Sequence, residues 1–195
     1  MTVDDGTLIL RFQKGDKLAL DTLIARHEAL AYQYAYRLTR DPDQACDIVS
    51  EAFVRIYKSL GSFRGNSAFT TWLYRIITNC FLDTRRQSAS RPTVSLENAL
   101  LTGEGEINSH IMASFLSPQA EFERGELRTR LSQAIAKLPV SYRTIIVLFH
   151  AEMLSYKEIT LSLHLPLGTV KSRLNRARLA LRDLLEDQRE SLLAA

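Results

Sequence analysis

The chain has 195 residues and a mass of 22.1 kDa, with 46% of its residues hydrophobic and 24% charged. That is enough apolar material for one medium domain or two small ones, and too much for general disorder. With 25 Lys+Arg against 22 Asp+Glu the formal net charge is +3, which excludes a histone-like polycation, so any contact with nucleic acid must come from local patches.

Other exclusions are as direct. Two cysteines, Cys46 and Cys80, cannot supply a disulfide framework and read as reduced thiols. His27, His110, His150 and His164 are scattered, with no metal-ligand spacing to the cysteines; no metal and no cofactor are expected. The start, MTVDDGTLIL, is acidic and unlike a signal peptide. No stretch approaches the ~18 apolar residues of a membrane span, so a soluble, cytoplasmic protein without membrane insertion is expected.

Helical periodicity dominates. A segment beginning at Asp16 places Leu20, Leu23, Ile24, His27, Leu30, Ala31, Tyr34 and Leu38 on one face. Asp41-Pro42 then reads as an N-cap carboxylate followed by proline at the first helical position. Ala45, Ile48, Val49, Ala52, Phe53, Ile56 and Leu60 continue as an amphipathic stripe ended by Gly61, and Ser62–Asn66 reads as a tight loop. The next helix buries Phe69, Trp72, Leu73, Ile76, Ile77 and Cys80 and runs to about Arg86. Thr71, Tyr74, Arg75, Thr78 and Asn79 are expected on its opposite, open face.

From Gln87 to Gln119 the periodicity breaks; Arg91 is the one Lys or Arg, while Glu97, Glu104 and Glu106 are acidic. This reads as a flexible acidic linker able to span ~100 Å at about 3.3 Å per residue. Ser117-Pro118 opens a second helical region, broken at Leu138-Pro139, with a short helix over about Ser141–Ala151. Ser155 and Glu158 form a capping box, Leu165-Pro166-Leu167-Gly168 reads as a turn, and Thr169 begins a last helix to about Asp187. No strand pattern appears. The expected fold is all-α: two small helical domains, 1–87 and 118–195, joined by the linker 88–117.

Ser155–Arg182 has the layout of a helix-turn-helix. In its second helix Val170, Leu174, Ala177 and Leu181 form the packing stripe. The other face carries Lys171, Ser172, Asn175 and Arg176, flanked by Arg173 and Arg178, with no acid from Thr169 to Arg182. Such a face suits the major groove, where Arg and Lys read guanine and Asn reads adenine. In the N-terminal half, aromatics, amides and bases around Phe63–Asn79 suit stacking and phosphate contact with single-stranded DNA. The helix Asp43–Leu60 shows a mixed acidic and apolar stripe that includes Asp47, Glu51 and Val54, as a protein-binding face would. A dimeric helix-turn-helix regulator would share the C-terminal pattern, but the N-terminal half lacks the strands of an α/β receiver. Exposed carboxylates without a His, Lys or metal constellation argue against an enzyme.

Three stretches, FQKGDKLALDTLIARHE (12–28), DPDQACDIVSEAFVRIYKSLGSFRGNSAFTTWLYRIITNCFLD (41–83) and LPVSYRTIIVLFHAEMLSYKEITLSLHLPLGTVKSRLNRARLAL (138–181), resemble the extracytoplasmic function (ECF) sigma factors of the bacterial sigma-70 family, of the sigma-E type. The resemblance implies a region 2 domain and a region 4 domain, promoter DNA and core RNA polymerase as partners, and no enzymatic activity. Asp47, Ser50, Glu51, Val54, Arg55 and Lys58 would dock on the clamp helices of the largest polymerase subunit. Phe63, Arg64, Asn66, Ser67, Trp72, Tyr74, Arg75 and Asn79 would bind the melted −10 element. Thr169, Lys171, Ser172, Arg173, Asn175, Arg176 and Arg178 would read the −35 element as duplex, and the outer surface of region 4 would sit on the flap of the second-largest subunit. An anti-sigma factor is a further expected partner. The chain departs from the pattern at Phe149-His150, where relatives often carry Arg-Glu, at Asn175, and at Asp83, where a relative has an amide.

Overall fold

The computed structural model describes residues 3–90 and 118–193, with side chains over 3–88 and 125–187. The expected linker 88–117 lies almost wholly outside the described residues. Eight α-helices follow in order: α1 (Asp5–Gln13), α2 (Lys17–Thr39), α3 (Pro42–Ser59), α4 (Phe69–Ser90), α5 (Pro118–Lys137), α6 (Val140–Ile146), α7 (Tyr156–Leu163) and α8 (Leu167–Leu193). A short 3-10 turn, Leu60–Ser62, follows α3, and a π-helical turn, Val147–Ala151, prolongs α6. Among the described residues there is no strand.

The first helix was not expected. Asp4 caps it, accepting from Thr7 N at 2.8 Å, and of its apolar side chains Leu8 and Ile9 are buried, Phe12 packs partly buried against the core and Leu10 is exposed. Asp5 holds it to α2 through Arg26 (2.6 Å) and His27 (2.7 Å). Asp16 begins α2 as expected, yet its carboxylate pairs with Arg11 at 2.7 Å instead of capping the helix. Arg40 ends α2 in the left-handed region, φ 59°.

The Asp41-Pro42 signal behaves as the chemistry dictates. The Asp41 carboxylate accepts from Asp43 N (2.9 Å) and Gln44 N (3.0 Å), and Pro42 lies in the first turn. Gln13 stitches the end of α3 to α1, donating to the carbonyls of Leu60 and Phe63 at 3.1 and 2.9 Å. In the loop beyond, Gly65 takes φ 70°, a backbone conformation that costs glycine little.

In the C-terminal unit the capping box is complete: Glu158 N donates to Ser155 Oγ at 3.3 Å and Ser155 N to the Glu158 carboxylate at 2.8 Å. The turn between α7 and α8 is tighter than the sequence suggests. The left-handed residue is His164, φ 51°, rather than Gly168, and α8 already begins at Leu167. The carbonyl of Pro166 accepts the Val170 N–H at 3.0 Å, so the proline ends up just ahead of the helix and Gly168 inside its first turn. Val170, Leu174 and Ala177 are buried as expected, and Leu181 is half-buried.

One apolar core runs through both units. Tyr34, Leu38, Ile56, Leu73, Ile77 and Phe81 from the N-terminal bundle join Ile145, Leu148, Ile159, Val170 and Leu174 from the C-terminal one. The seam is α4 against α7, with α2 against α5 and the π-helical turn.

Candidate nucleic-acid interface

The expected recognition face of α8 stands open. Lys171, Ser172, Asn175, Arg176 and Arg178 are exposed, while Thr169 and Arg173 are half-buried. None of these seven is in an ion pair among the described residues. Two of them are held in place: Ser172 Oγ donates to the Thr169 carbonyl at 3.2 Å, and the Arg178 guanidinium lies over the Phe149 ring, 5.0 Å from the centroid, with its Nε donating to His150 Nε2 at 3.2 Å. Phe149 in turn stacks on Tyr156, centroids 5.2 Å apart and planes 20° apart. Phe149 and His150 thus form a ledge beneath a basic side chain. Burial and the neighbouring Arg178 charge push the His150 ring below the usual histidine value.

On the N-terminal bundle, a cleft of about 620 Å³ opens between the end of α3, the loop 63–68 and α4. Phe63, Arg64, Asn66, Ser67, Trp72, Arg75 and Asn79 line it, which brings together seven of the eight expected −10 residues. Trp72 is only 7% exposed and forms the wall, its ring 4.9 Å from Phe63 and 5.9 Å from Phe69. Arg64, Asn66 and Asn79 are exposed, and Arg75 is half-buried. Apolar and aromatic walls with a few amide and guanidinium groups at the rim suit an unstacked base. His164, from the C-terminal unit, also lines this cleft.

Tyr74, the eighth, does not line the cleft. The expected open face of α4 is largely closed, with Thr71, Tyr74 and Thr78 all buried. The sequence reading treated α4 as covered on one side, but it lies between two neighbours. On the α2 side the Tyr34 hydroxyl meets Thr78 Oγ1 at 2.7 Å. On the α7 side Ser162 Oγ donates to the Thr71 carbonyl at 3.2 Å. The Tyr74 hydroxyl donates to Glu152 at 2.6 Å, and burial followed by that carboxylate raises the phenol well above its usual value.

The expected polymerase-facing stripe lies on α3. Asp47, Ser50, Glu51, Val54 and Lys58 are exposed; Val54 is 45% exposed beside Tyr57 at 52%, unusual for apolar side chains on a polar helix face. Arg55 is set apart from that stripe. It is half-buried, paired to Glu51 at 2.8 Å and Asp83 at 2.9 Å, and it borders the cleft together with Lys58. Asp83 thereby ties α3 to α4.

Sequence reasoning missed Arg37, Glu152 and His164. Arg37 pairs with Glu152 across 115 positions, at 2.5 Å, and no local pattern signals a partnership at that separation. Among the described residues there is no group of His, Cys, Asp and Glu that could hold a metal ion.

The fold and these surfaces define a two-unit helical protein that presents one surface suited to duplex and one to unstacked DNA. The family model for sigma-70 region 2 matches residues 23–91, and that for sigma-70 region 4 matches residues 128–181. The chain is 39% identical to the ECF RNA polymerase sigma factor SigW of Bacillus subtilis, over 92% of this chain and 95% of the relative. It is 37% identical to the RNA polymerase sigma-H factor of Pseudomonas aeruginosa, over 93% and 94%. With the ECF sigma-E factor of Escherichia coli K12 it shares 36%, over 91% and 92%. The fold matches that of CnrH solved with the cytosolic domain of CnrY, at a TM-score of 0.64 and 24% identity, covering 94% of this chain and 97% of the other. The chain belongs to the sigma-70 family, within its ECF group: factors that direct RNA polymerase to promoters.

Proposed function

We propose that this ECF sigma factor reads −35 as duplex through the open face of α8 and captures unstacked −10 bases in the cleft between the loop 63–68 and α4. The observation that carries this reading is the pairing of two unlike surfaces on two units. One is a basic helix face with no ion pair among the described residues; the other is a cleft walled by Trp72 and Phe63 with Asn66 and Asn79 at its rim. A recognition helix needs exposed hydrogen-bonding side chains, and an extruded base needs an apolar slot.

Polymerase docking falls to Asp47, Ser50, Glu51, Val54 and Lys58 on α3, supported by the exposed Val54–Tyr57 patch. Arg55 serves the cleft more than the polymerase, because its guanidinium is already taken by Glu51 and Asp83. The boundaries 1–87, 88–117 and 118–195 remain the working division; α4 continues to Ser90. An anti-sigma factor is proposed as a partner; RpoE of Bartonella quintana, which shares the fold at a TM-score of 0.62, is solved with the anti-sigma factor NepR. No described helix is long and apolar enough to cross a membrane, and work on promoter DNA with polymerase favours the cytoplasm.

Template-dependent transcription with and without added core polymerase tests this reading. The chain should confer promoter-specific initiation on core polymerase and show no tight operator binding alone. Sequence-specific duplex binding by the isolated chain, with no effect on core polymerase, would show it to be a conventional regulator.

A further inference from the structure

The loop 63–68 at the mouth of the cleft is held at its ends and not along its middle. Among the described residues, Arg64, Gly65, Asn66 and Ser67 take part in no hydrogen bond or ion pair, and a Cβ added at Gly65 would meet nothing within 4 Å. The path of the loop is therefore set where it leaves the 3-10 turn, at Phe63, and where it enters α4, at Phe69. Both points lead back to α1.

At the first point Gln13, the last residue of α1, donates from Nε2 to the Phe63 carbonyl at 2.9 Å and to the Leu60 carbonyl at 3.1 Å. A helix end leaves carbonyls in need of donors, but the Leu60 carbonyl already accepts from Phe63 N at 3.1 Å. Helix ending does not explain the shorter bond to Phe63, one residue beyond the turn, whose ring meets Trp72. At the second point Asp5, the first residue of α1, meets His27 Nε2 of α2 at 2.7 Å, and its other oxygen accepts from Arg26 at 2.6 Å. The His27 ring is 7% exposed and lies 5.0 Å from Phe69, which lies 5.9 Å from Trp72. Aromatic pairs at such separations hold preferred mutual orientations. Any apolar side chain at position 27 would fill the core; a buried histidine joins the α1 carboxylate to the first ring of α4.

We propose that α1 braces the −10 cleft, and that Gln13 and His27 are positioning residues that fix the two ends of the loop and the Phe63–Trp72 wall without touching DNA. Neither residue lines the cleft. The proposal rests on the −10 reading of that cleft. A slot for an extruded base works only while its walls keep their spacing, and here the spacing depends on a helix that takes no part in the slot itself. The exposed Gln13 amide and the buried His27 ring act on the same wall from opposite ends of α1.

The test uses the full chain with core polymerase at saturating sigma, on a promoter that the wild-type holoenzyme opens. Opening is followed in time by permanganate reactivity of the −10 thymines. Gln13→Met keeps the length and helix propensity of the side chain and removes the donor; it should slow opening about threefold, the low end of a hydrogen bond's net worth because water reaches the amide. His27→Phe keeps a ring against Phe69 and loses the bond to Asp5, and should slow opening to a similar extent. Arg11→Met breaks the Arg11–Asp16 pair on the same helix and should leave opening unchanged. A double-variant cycle separates positioning from mere stabilisation: once Phe63→Ala has removed the ring that Gln13 places, Gln13→Met should add little. Trp72 is the one tryptophan of the chain, so its emission in the free chain should move to the red in Gln13→Met. Opening at the wild-type rate in Gln13→Met or in His27→Phe would overturn the brace, and so would an undiminished effect of Gln13→Met in the Phe63→Ala background. Opening at the wild-type rate in Phe63→Ala would instead sink the −10 reading of the cleft, and the proposal with it; Trp72 emission, read without DNA, still reports whether α1 holds the wall, so the two failures are separable.

Discussion

The two proposed reading surfaces solve the same problem with opposite use of burial. On α8 most of the reading side chains project, exposed, from a helix whose other stripe (Val170, Leu174, Ala177) is fully packed. On α4 the reading wall is also core: Trp72 is 7% exposed and touches Phe63 and Phe69, while Tyr74 is 4% exposed and buried under the second unit. Duplex DNA presents its information on base edges in a groove, so flexible polar side chains on a rigid rod suffice. An extruded base must be stacked and shielded from water, and that slot can only be cut into a packed bundle. Stability and recognition should therefore separate on α8 and merge on α4.

The largest expected effect tests the merged side. Trp72→Ala removes a nearly buried indole and should cost about 3–5 kcal/mol of stability, read as a lower denaturant midpoint for the N-terminal bundle, together with loss of −10 melting. Normal stability in this variant would mean that the wall is a surface feature and the contrast is false.

Next comes the separated side. Arg176→Ala should cost about 1–3 kcal/mol in −35 discrimination if its guanidinium makes a bidentate base contact, while stability shifts by less than about 0.5 kcal/mol. A promoter-variant reporter and a thermal melt on the same protein check both halves. Asn79→Ala on α4 is the matched control: exposed at the cleft rim, it should slow open-complex formation, seen by permanganate footprinting, without the stability loss of Trp72→Ala.

The contrast also explains what was legible in the chain. Short-range signals came through whole: the Asp41-Pro42 cap, the Ser155–Glu158 capping box, the stripe of α8. Each is settled by atoms within four residues. Amphipathic periodicity places one buried face per helix, and so α4 misled, because Thr71, Tyr74 and Thr78 are covered by a second neighbour that only tertiary packing supplies. The α1 helix went unseen because it buries only Leu8 and Ile9 and is tied to α2 by Asp5, whose partners Arg26 and His27 lie 21 and 22 residues away. Seven of the eight residues expected at the −10 element converge on the cleft since the loop and α4 adjoin in sequence. The Arg37–Glu152 pair, 115 residues apart, was beyond any local rule.

A smaller effect sharpens the α8 side. Ser155→Ala removes the acceptor for Glu158 N and should cost about 1 kcal/mol in the C-terminal unit. Because α7 also packs on α4, the loss should appear in the seam as well, as faster hydrogen exchange of the Thr71 region. Exchange confined to α7 would show that the cap serves the helix-turn-helix alone.

The smallest effect concerns the ledge beneath Arg178. His150 Nε2 accepts from Arg178 Nε, so the ring is neutral with its proton on Nδ1. Burial, then the Arg178 charge, hold its folded value below that of a free histidine. The unfolded chain therefore takes up the proton first as pH falls. The sign follows: stability is full above the free value, declines as pH drops through about 6.5, and levels off once the folded ring is protonated too. His150→Gln removes the titration. Its denaturant midpoint should fall less than that of the wild type between about pH 7.5 and 5.5, one unit either side of the free value. Protonation of the folded ring, which comes at lower pH than that of the free histidine, also takes away the acceptor that pins Arg178, so the salt dependence of −35 binding should change there in the wild type alone. Parallel pH profiles for the two proteins would leave Phe149 as the sole support of Arg178, and the open face of α8 would then owe nothing to a titratable neighbour.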